Sequence, residues 1–154
     1  MSKAVNHTGM TVADTEASVR FYRDVLGFTV EEAKSGEWNQ EYLSHLTGHS
    51  GCHLRIVMVQ AADGSRVQLE QFVYPKFEAN PPGWAEPGGG HLCIEVEDIH
   101  AVTERIKAAG YTIVSTPPEP VALPKESVNY GGYYMGVLDP DGHVIELLQR
   151  PPGR

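Results

Sequence analysis

With 154 residues and 41% apolar side chains, the chain can bury one core of ordinary domain size, or two small modules. A net charge of −8, with Lys and Arg scattered along the sequence, argues against a nucleic-acid surface, where phosphate contacts dominate. The longest aliphatic run, Ile56 to Val59, is far short of the ~20 residues of a membrane-spanning helix, and Met1 to Asn6 lacks the basic-then-apolar pattern of a signal peptide.

Cys52 and Cys93 form no CxxC pair, so a reduced, cytoplasmic setting is expected. His7 opens a short β-like run that ends before Asp14. Asp14 is a good N-cap, and a helix is expected over Thr15 to Leu26. Phe21, Tyr22, Val25 and Leu26 form its apolar face, and Gly27 stops it. Gly27-Phe28-Thr29-Val30 starts a second strand. Ser35 to Gly51 reads as a long loop, a length often tied to function. A third strand is expected from His53 to Val59, a turn at Asp63-Gly64, and a fourth strand from Val67 to Phe72.

After the Pro- and Gly-rich stretch Pro75 to Gly89, the pattern repeats. Gly90-His91-Leu92-Cys93-Ile94-Glu95-Val96-Glu97-Asp98 lines up with Asn6-His7-Thr8-Gly9-Met10-Thr11-Val12-Ala13-Asp14. A second helix follows from Ile99 to Ala109, with Ile99, Val102, Ile106 and Ala109 as its apolar stripe. Gly110-Tyr111-Thr112-Ile113 then matches Gly27-Phe28-Thr29-Val30. A loop from Ser115 to Gly132 leads to strands at Tyr133 to Leu138 and Val144 to Leu148, joined by Asp141-Gly142. The expected architecture is α+β: two tandem βαβββ modules, 1–74 and 90–150, a linker at 75–89, and a disordered tail at 151–154.

A His at the start of the first strand and a Glu in the last strand occur once per module: His7 with Glu70, and His91 with Glu146. Strand alternation puts His7, Gly9 and Thr11 on one face, and Gln68, Glu70 and Phe72 on one face. If first and last strands are neighbours, each module offers one imidazole and one carboxylate. Two of each suit one divalent ion: Zn, Ni, Co, Mn or Fe. An ion that prefers six ligands keeps two positions for water or for neighbouring oxygens of a small-molecule substrate. Glu146 lies between Ile145 and Leu147, where a carboxylate without a partner is costly. Any one of the four, seen alone, reads as a hydrogen-bonded side chain; their recurrence in the repeat carries the metal reading.

Other candidates have plainer readings beside the functional one. His45, His49 and His53 are spaced by four, but Gly48, Ser50 and Gly51 interrupt a helix there. Tyr130 and Tyr134 offer hydroxyls to a pocket, or are ordinary strand and loop tyrosines. Arg55 pairs with an anionic substrate group or faces solvent, depending on a one-residue register. Cys93 shares the His91 face, without an evident activating base. Trp38, Phe77 and Trp84 either cap an apolar ligand or anchor their loops. Gly88-Gly89-Gly90 precedes a strand, not a helix, and so lacks the context of a phosphate loop.

His7-Thr8-Gly9-Met10-Thr11-Val12-Ala13-Asp14, with Phe21-Tyr22-Arg23-Asp24-Val25-Leu26-Gly27-Phe28, resembles the opening of the vicinal oxygen chelate superfamily. Asp139-Pro140-Asp141-Gly142-His143-Val144-Ile145-Glu146-Leu147 resembles its closing motif. The superfamily includes glyoxalase I, methylmalonyl-CoA epimerase, extradiol dioxygenases, fosfomycin-resistance transferases and bleomycin-binding proteins. The resemblance runs from His7 to about Gln149. It implies paired βαβββ modules in a cupped mixed sheet around a metal, with homodimers common.

In glyoxalase I, the resemblance puts His, Glu, His, Glu at the positions of His7, Glu70, His91 and Glu146. Its glutathione-holding Arg and Asn match Thr11 and Tyr74 here. Methylmalonyl-CoA epimerase usually has Gln where Glu70 is aligned, and a catalytic Glu on the third strand near Arg55. Extradiol dioxygenases use two His and one Glu. On these comparisons Glu70 points toward a glyoxalase-like centre serving a different substrate. The implied activity is proton transfer beside a carbonyl, by an isomerase, epimerase or lyase, with Glu146 or Glu70 as base. Fe(II)-dependent oxygen chemistry and small-molecule binding or resistance remain the alternatives.

Overall fold

The computed structural model describes residues 3–78, 80, 83–115 and 118–153. Thr116 and Pro117 of the expected second loop, Ala79, Pro81 and Pro82 of the expected linker, and Arg154 of the expected tail lie outside the described residues. The chain divides into two compact units, Met1–Asn80 and Pro81–Arg154.

In the first unit, β1 (Thr8–Thr11) runs parallel to β5 (Arg66–Tyr74), and β5 pairs antiparallel with β4 (His53–Gln60). β2 (Thr29–Val30) and β3 (Gly36–Trp38) both pair with the far edge of β4. Between β1 and β2, α1 (Thr15–Val19) continues as a π-helical stretch from Arg20 to Val25. Asp14 caps it by accepting from the amides of Glu16 and Ala17, a contact whose loss typically costs ~1 kcal/mol. Phe21, Tyr22 and Val25 are buried, as are Val59, Val67 and Leu69 in the sheet. Tyr22 meets the rings of Phe21 and Phe28 edge-on, at 5.2 and 5.8 Å. Burial of each such side chain contributes about 1.5–3 kcal/mol, so apolar spacing along α1 decides which face meets the sheet.

The stretch from Ser35 to Gly51, expected as a loop, carries β3 and a second helix, α2 (Glu41–Thr47). Leu43 of α2 is buried with Cys52, Leu54 and Ile56, and Trp38 and Phe72 pack against this cluster. Isolated apolar anchors, rather than a periodic stripe, order the segment.

In the second unit, β6 (His91–Glu95) runs parallel to β9 (Val144–Gln149). β9 pairs with β8 (Tyr133–Leu138), and β8 with β7 (Glu119–Pro120). α3 (Ile99–Ala108) is capped by Asp98 and buries Ile99, Val102, Thr103 and Ile106. Ala109, expected in the stripe, is exposed. The strand expected at 110–113 shrinks to one rung, Ile113 against Val137, with Val114 N–H on Gly136 O and Leu138 N–H on Thr112 O. Pro152 and Gly153 of the expected tail form a turn.

Each unit thus follows the expected βαβββ order, the first with β3 and α2 inserted and the second with β7 formed inside the stretch expected as the loop from Ser115 to Gly132. Among the described residues, no helix is long and apolar enough to cross a membrane.

The two units share fastenings that define which residues correspond. Val12 N–H donates to Glu70 O, and Val96 N–H to Leu148 O. Gln71 Oε1 accepts from Thr15 N at the start of α1 (3.2 Å), and Gln149 Oε1 from Ile99 N at the start of α3 (2.8 Å). Val12 corresponds to Val96 and Thr15 to Ile99, so Gln71 corresponds to Gln149, Glu70 to Leu148, and Gln68 to Glu146.

Candidate functional site

In the second unit, His91 lies on the edge strand β6 and Glu146 on its neighbour β9. Cys93 stands directly across from Glu146. His91, Cys93 and Glu95 project to one face by alternation, with Val144, Glu146 and Leu148 beside them. Ile145 and Leu147 point the other way into the core and are fully buried. His91 Nε2 lies 3.0 Å from Glu146 Oε2. Two ligands held at right angles on one ion, with bonds of ~2.1 Å, stand roughly 3 Å apart. The pair therefore fits as neighbouring ligands of a divalent ion. The imidazole nitrogen and carboxylate oxygen are donors that suit Zn, Ni, Co, Mn or Fe.

The Cys93 thiol is pushed up to about 11, first by burial and then by the negative charge and hydrogen bond of Glu146. At neutral pH it is a protonated thiol, which argues against a nucleophilic role.

In the first unit, β1 is the edge strand and β5 its neighbour. Gly9 stands across from Gln68, and Thr11 across from Glu70. Gln68 and Glu70 share a face, while Val67 and Leu69 are buried on the other. A side chain at residue 9 would come 3.3 Å from Glu70 Oε1, so Gly9 keeps that carboxyl uncovered. Burial raises the Glu70 carboxyl above its ordinary range, and the charge of nearby His7 offsets this in part. His7 is exposed at the strand start, with Nδ1 2.9 Å from Asn6 Oδ1.

The matching of Glu70 with Glu146 is corrected by register. The rung of Glu146 is occupied in the first unit by Gln68, and Glu70 sits one pleat farther on, where the second unit has Leu148. Sequence reasoning missed Gln68. The available signal was Val67-Gln68-Leu69 against Ile145-Glu146-Leu147, with Gln71 and Gln149 three residues beyond. Within either unit, among the described residues, no three of His, Cys, Asp and Glu gather to hold a metal ion; each offers a pair.

Arg55 is a second correction. It stands across from Gln71, on the face that carries α1, while its neighbour Ile56 stands across from Glu70. Its guanidinium binds Glu37 at 2.7 Å and approaches Glu16 at 4.0 Å. It lines an open groove of about 610 Å³ with Thr15, Val19, Arg20 and Val57. That groove lies behind the sheet from Glu70 and Gln68 and contains none of the candidate ligands.

Tyr74 ends β5 beyond a register shift, across from His53 rather than in line with Glu70, and is exposed. Tyr134 stands across from Leu148 on the Glu146 face, and its hydroxyl accepts from Asn129 Nδ2 at 2.7 Å. Tyr130 sits in the preceding turn, with its amide on Ser127 O. His45, His49 and His53 do not converge: His45 is in α2, His49 packs against Phe72 and Phe77, and His53 Nε2 binds Glu37 at 2.5 Å.

A family model described as the Glyoxalase/Bleomycin resistance protein/Dioxygenase superfamily matches residues 4–147. The chain is 26% identical to a 2-epi-5-epi-valiolone epimerase of Actinomyces sp, over 97% of this chain and 81% of that one. It is 30% identical to a probable lactoylglutathione lyase of Vibrio cholerae, over 93% and 88%. An ethylmalonyl-CoA/methylmalonyl-CoA epimerase of Cereibacter sphaeroides is 28% identical, over 94% and 96%. Among solved structures, a glyoxalase family protein from Bacillus cereus superposes with a TM-score of 0.80 at 20% identity, over 95% and 93%, which bears on the fold alone. The chain belongs to the glyoxalase/bleomycin resistance protein/dioxygenase superfamily.

Proposed function

We propose that this protein is a divalent-metal-dependent enzyme that moves a proton on the carbon beside a substrate carbonyl, with epimerisation as the favoured outcome. The ligands in this reading are His7, Gln68, His91 and Glu146. The reason to join the two pairs is the repeat itself, because two donors are too few to hold an ion alone. Bound there, the ion would supply Lewis-acid polarisation of the substrate's oxygens.

The observation that carries the reading is the correspondence of Gln68 with Glu146. In this reading Glu70 is not a ligand. What is left is a half-buried carboxyl held above its ordinary range by burial, on the same face as Gln68. A carboxyl raised toward neutrality is a better general base than an ordinary one, because a catalytic base works best with its pKa near the working pH. In the proposed step, Glu70 takes the proton from the carbon beside the carbonyl, and the electron pair moves onto the carbonyl oxygen. A proton returned from solvent to the opposite face of that carbon inverts it, and Glu70 releases the proton it took to solvent. Two of the relatives are named epimerases, and the resemblance to methylmalonyl-CoA epimerase includes a Gln at the first module's ligand position. The glyoxalase-like alternative keeps Glu70 as a ligand.

The test is solvent deuterium exchange into 2-oxo and 2-substituted acids by protein loaded with Zn, Co, Mn or Ni. The proposal expects exchange that stops in Glu70→Gln while the metal stays bound. Absence of exchange with every metal, alongside oxygen uptake with Fe(II), would overturn it.

A further inference from the structure

The part of the 75–89 stretch that precedes β6 is folded tightly. Glu86 N–H donates to Gly83 O at 3.0 Å and Gly89 N–H to Glu86 O at 2.8 Å, while Glu86 Oε2 accepts from Gly83 N at 3.3 Å. Two successive turns bring Gly89 against the start of the loop. A Cβ at residue 89 would lie 2.2 Å from Gly83 O and 2.9 Å from Glu86 O. Both are backbone atoms, so only glycine closes this loop without shifting it.

The closed loop presents Trp84 to the second half-site. The indole lies 4.9 Å from the His91 ring at an angle of 47°. Its Cζ3 would be 3.5 Å from a side chain at Gly136, and Gly136 stands directly across from Glu146. A side chain at residue 136 would also meet Val114 Cγ2 at 2.9 Å, so its absence leaves room that Val114 and the edge of the indole share. Trp84 is nonetheless 46% exposed, so part of its ring surface is open. A large apolar ring left half open on a loop built to hold it beside two candidate ligands has no evident core-packing purpose.

We propose that Trp84 is a positioning and specificity-determining residue of this site: it fixes the His91 ring and offers its open face to a substrate with an apolar ring or CH face beside two neighbouring oxygens. This rests on the reading of His91 and Glu146 as metal ligands. The substrate class follows from the chemistry. Vicinal oxygens go to the ion, and the carbon skeleton behind them packs on the indole, as ring faces do on aromatic surfaces.

The experiment uses Trp38→Phe protein, in which Trp84 is the remaining tryptophan. Zinc is titrated while bound metal is measured by native mass spectrometry and indole fluorescence is followed. The proposal expects fluorescence to change in step with occupancy. Zinc binding without a fluorescence change overturns the role of Trp84 and spares the metal reading; absence of zinc binding overturns both.

The zinc-loaded protein is then offered 1-hydroxycyclohexanecarboxylic acid and 2-hydroxy-2-methylpropanoic acid. These present the same pair of oxygens with and without a ring, and neither has a removable proton beside the carboxyl. Binding is read by calorimetry in protein that retains Trp38. The ring compound is expected to bind roughly tenfold more tightly. Trp84→Ala erases that preference, Trp84→Phe keeps most of it, and Gly89→Ala, which opens the loop by backbone collision, reproduces Trp84→Ala. A preference unchanged in Trp84→Ala overturns the proposal.

Discussion

Gln68 and Glu146 occupy the same rung of two similar sheets: Gln68 stands across from Gly9 on β1, and Glu146 across from Cys93 on β6. Gln68 is thus the register equivalent of Glu146, and Glu70 is an additional acid of the first unit, close enough to His7 to feel its charge.

That relationship separates two variants that a ligand role for Glu70 would make alike. Gln68→Ala should weaken metal binding by roughly tenfold or more. Glu70→Gln should keep the metal and lose about 10²–10⁴ in turnover, the usual worth of a general base. Metal content by plasma emission, measured beside the rate of deuterium exchange, distinguishes them. Metal loss in Glu70→Gln together with metal retention in Gln68→Ala would restore Glu70 as the ligand.

Much of the fold was legible in the sequence. The helices follow from apolar spacing and from Asp14 and Asp98 as caps, and the repeat from His7 and His91. The register of the last strand was not legible. Two glutamates in strands of similar composition invite alignment, and what sets their true relation is the backbone bond from Val12 to residue 70 and the reach of Gln71 to α1. Arg55 turned on the same kind of choice, since a one-residue slip exchanges the two faces. β3 and α2 rest on scattered anchors such as Trp38 and Leu43, which carry no period. The loop around Trp84 is closed by backbone contacts among glycines, and composition marks such residues only as breakers.

Cys93 should be a slow thiol despite its exposed position. A thiol pushed up to about 11 carries, at pH 8, a few hundredfold less thiolate, roughly, than an ordinary cysteine of pKa ~8.5. Iodoacetamide should therefore label metal-free native protein at well under the rate of an unstructured peptide. Glu146→Gln should speed the reaction by removing a negative charge, while Cys52, which is buried, stays silent in both. Peptide-like rates at Cys93 in native protein would show that the carboxylate and burial do not control it.

The turn between β8 and β9 is held by an ion pair whose strength depends on pH. His143 Nδ1 lies 2.9 Å from Asp139 Oδ2, and Asp139 is itself buried. The hydrogen bond that His143 donates to Asp139 raises the His143 pKa above its ordinary 6.5 against the opposing effect of burial, with further help from the charges of Asp139 and Asp141. In the unfolded chain His143 loses its proton near pH 6.5, whereas in the folded protein it holds the proton to higher pH. The stability gained is therefore complete below about pH 6.5 and is lost as pH rises through the raised value. In EDTA, to keep metal out of the comparison, the unfolding free energy should fall from pH 6 to pH 9 beyond any change in His143→Gln. Parallel pH profiles for the two proteins would mean that the pair adds nothing.

The central claim is that the His7 and Gln68 pair and the His91 and Glu146 pair serve one ion. Metal stoichiometry tests it most directly. Protein loaded with zinc or cobalt and weighed intact by native mass spectrometry should carry one ion per chain, lost alike in His7→Ala and in His91→Ala. Two ions per chain, or an ion retained in full when either histidine is removed, would contradict it.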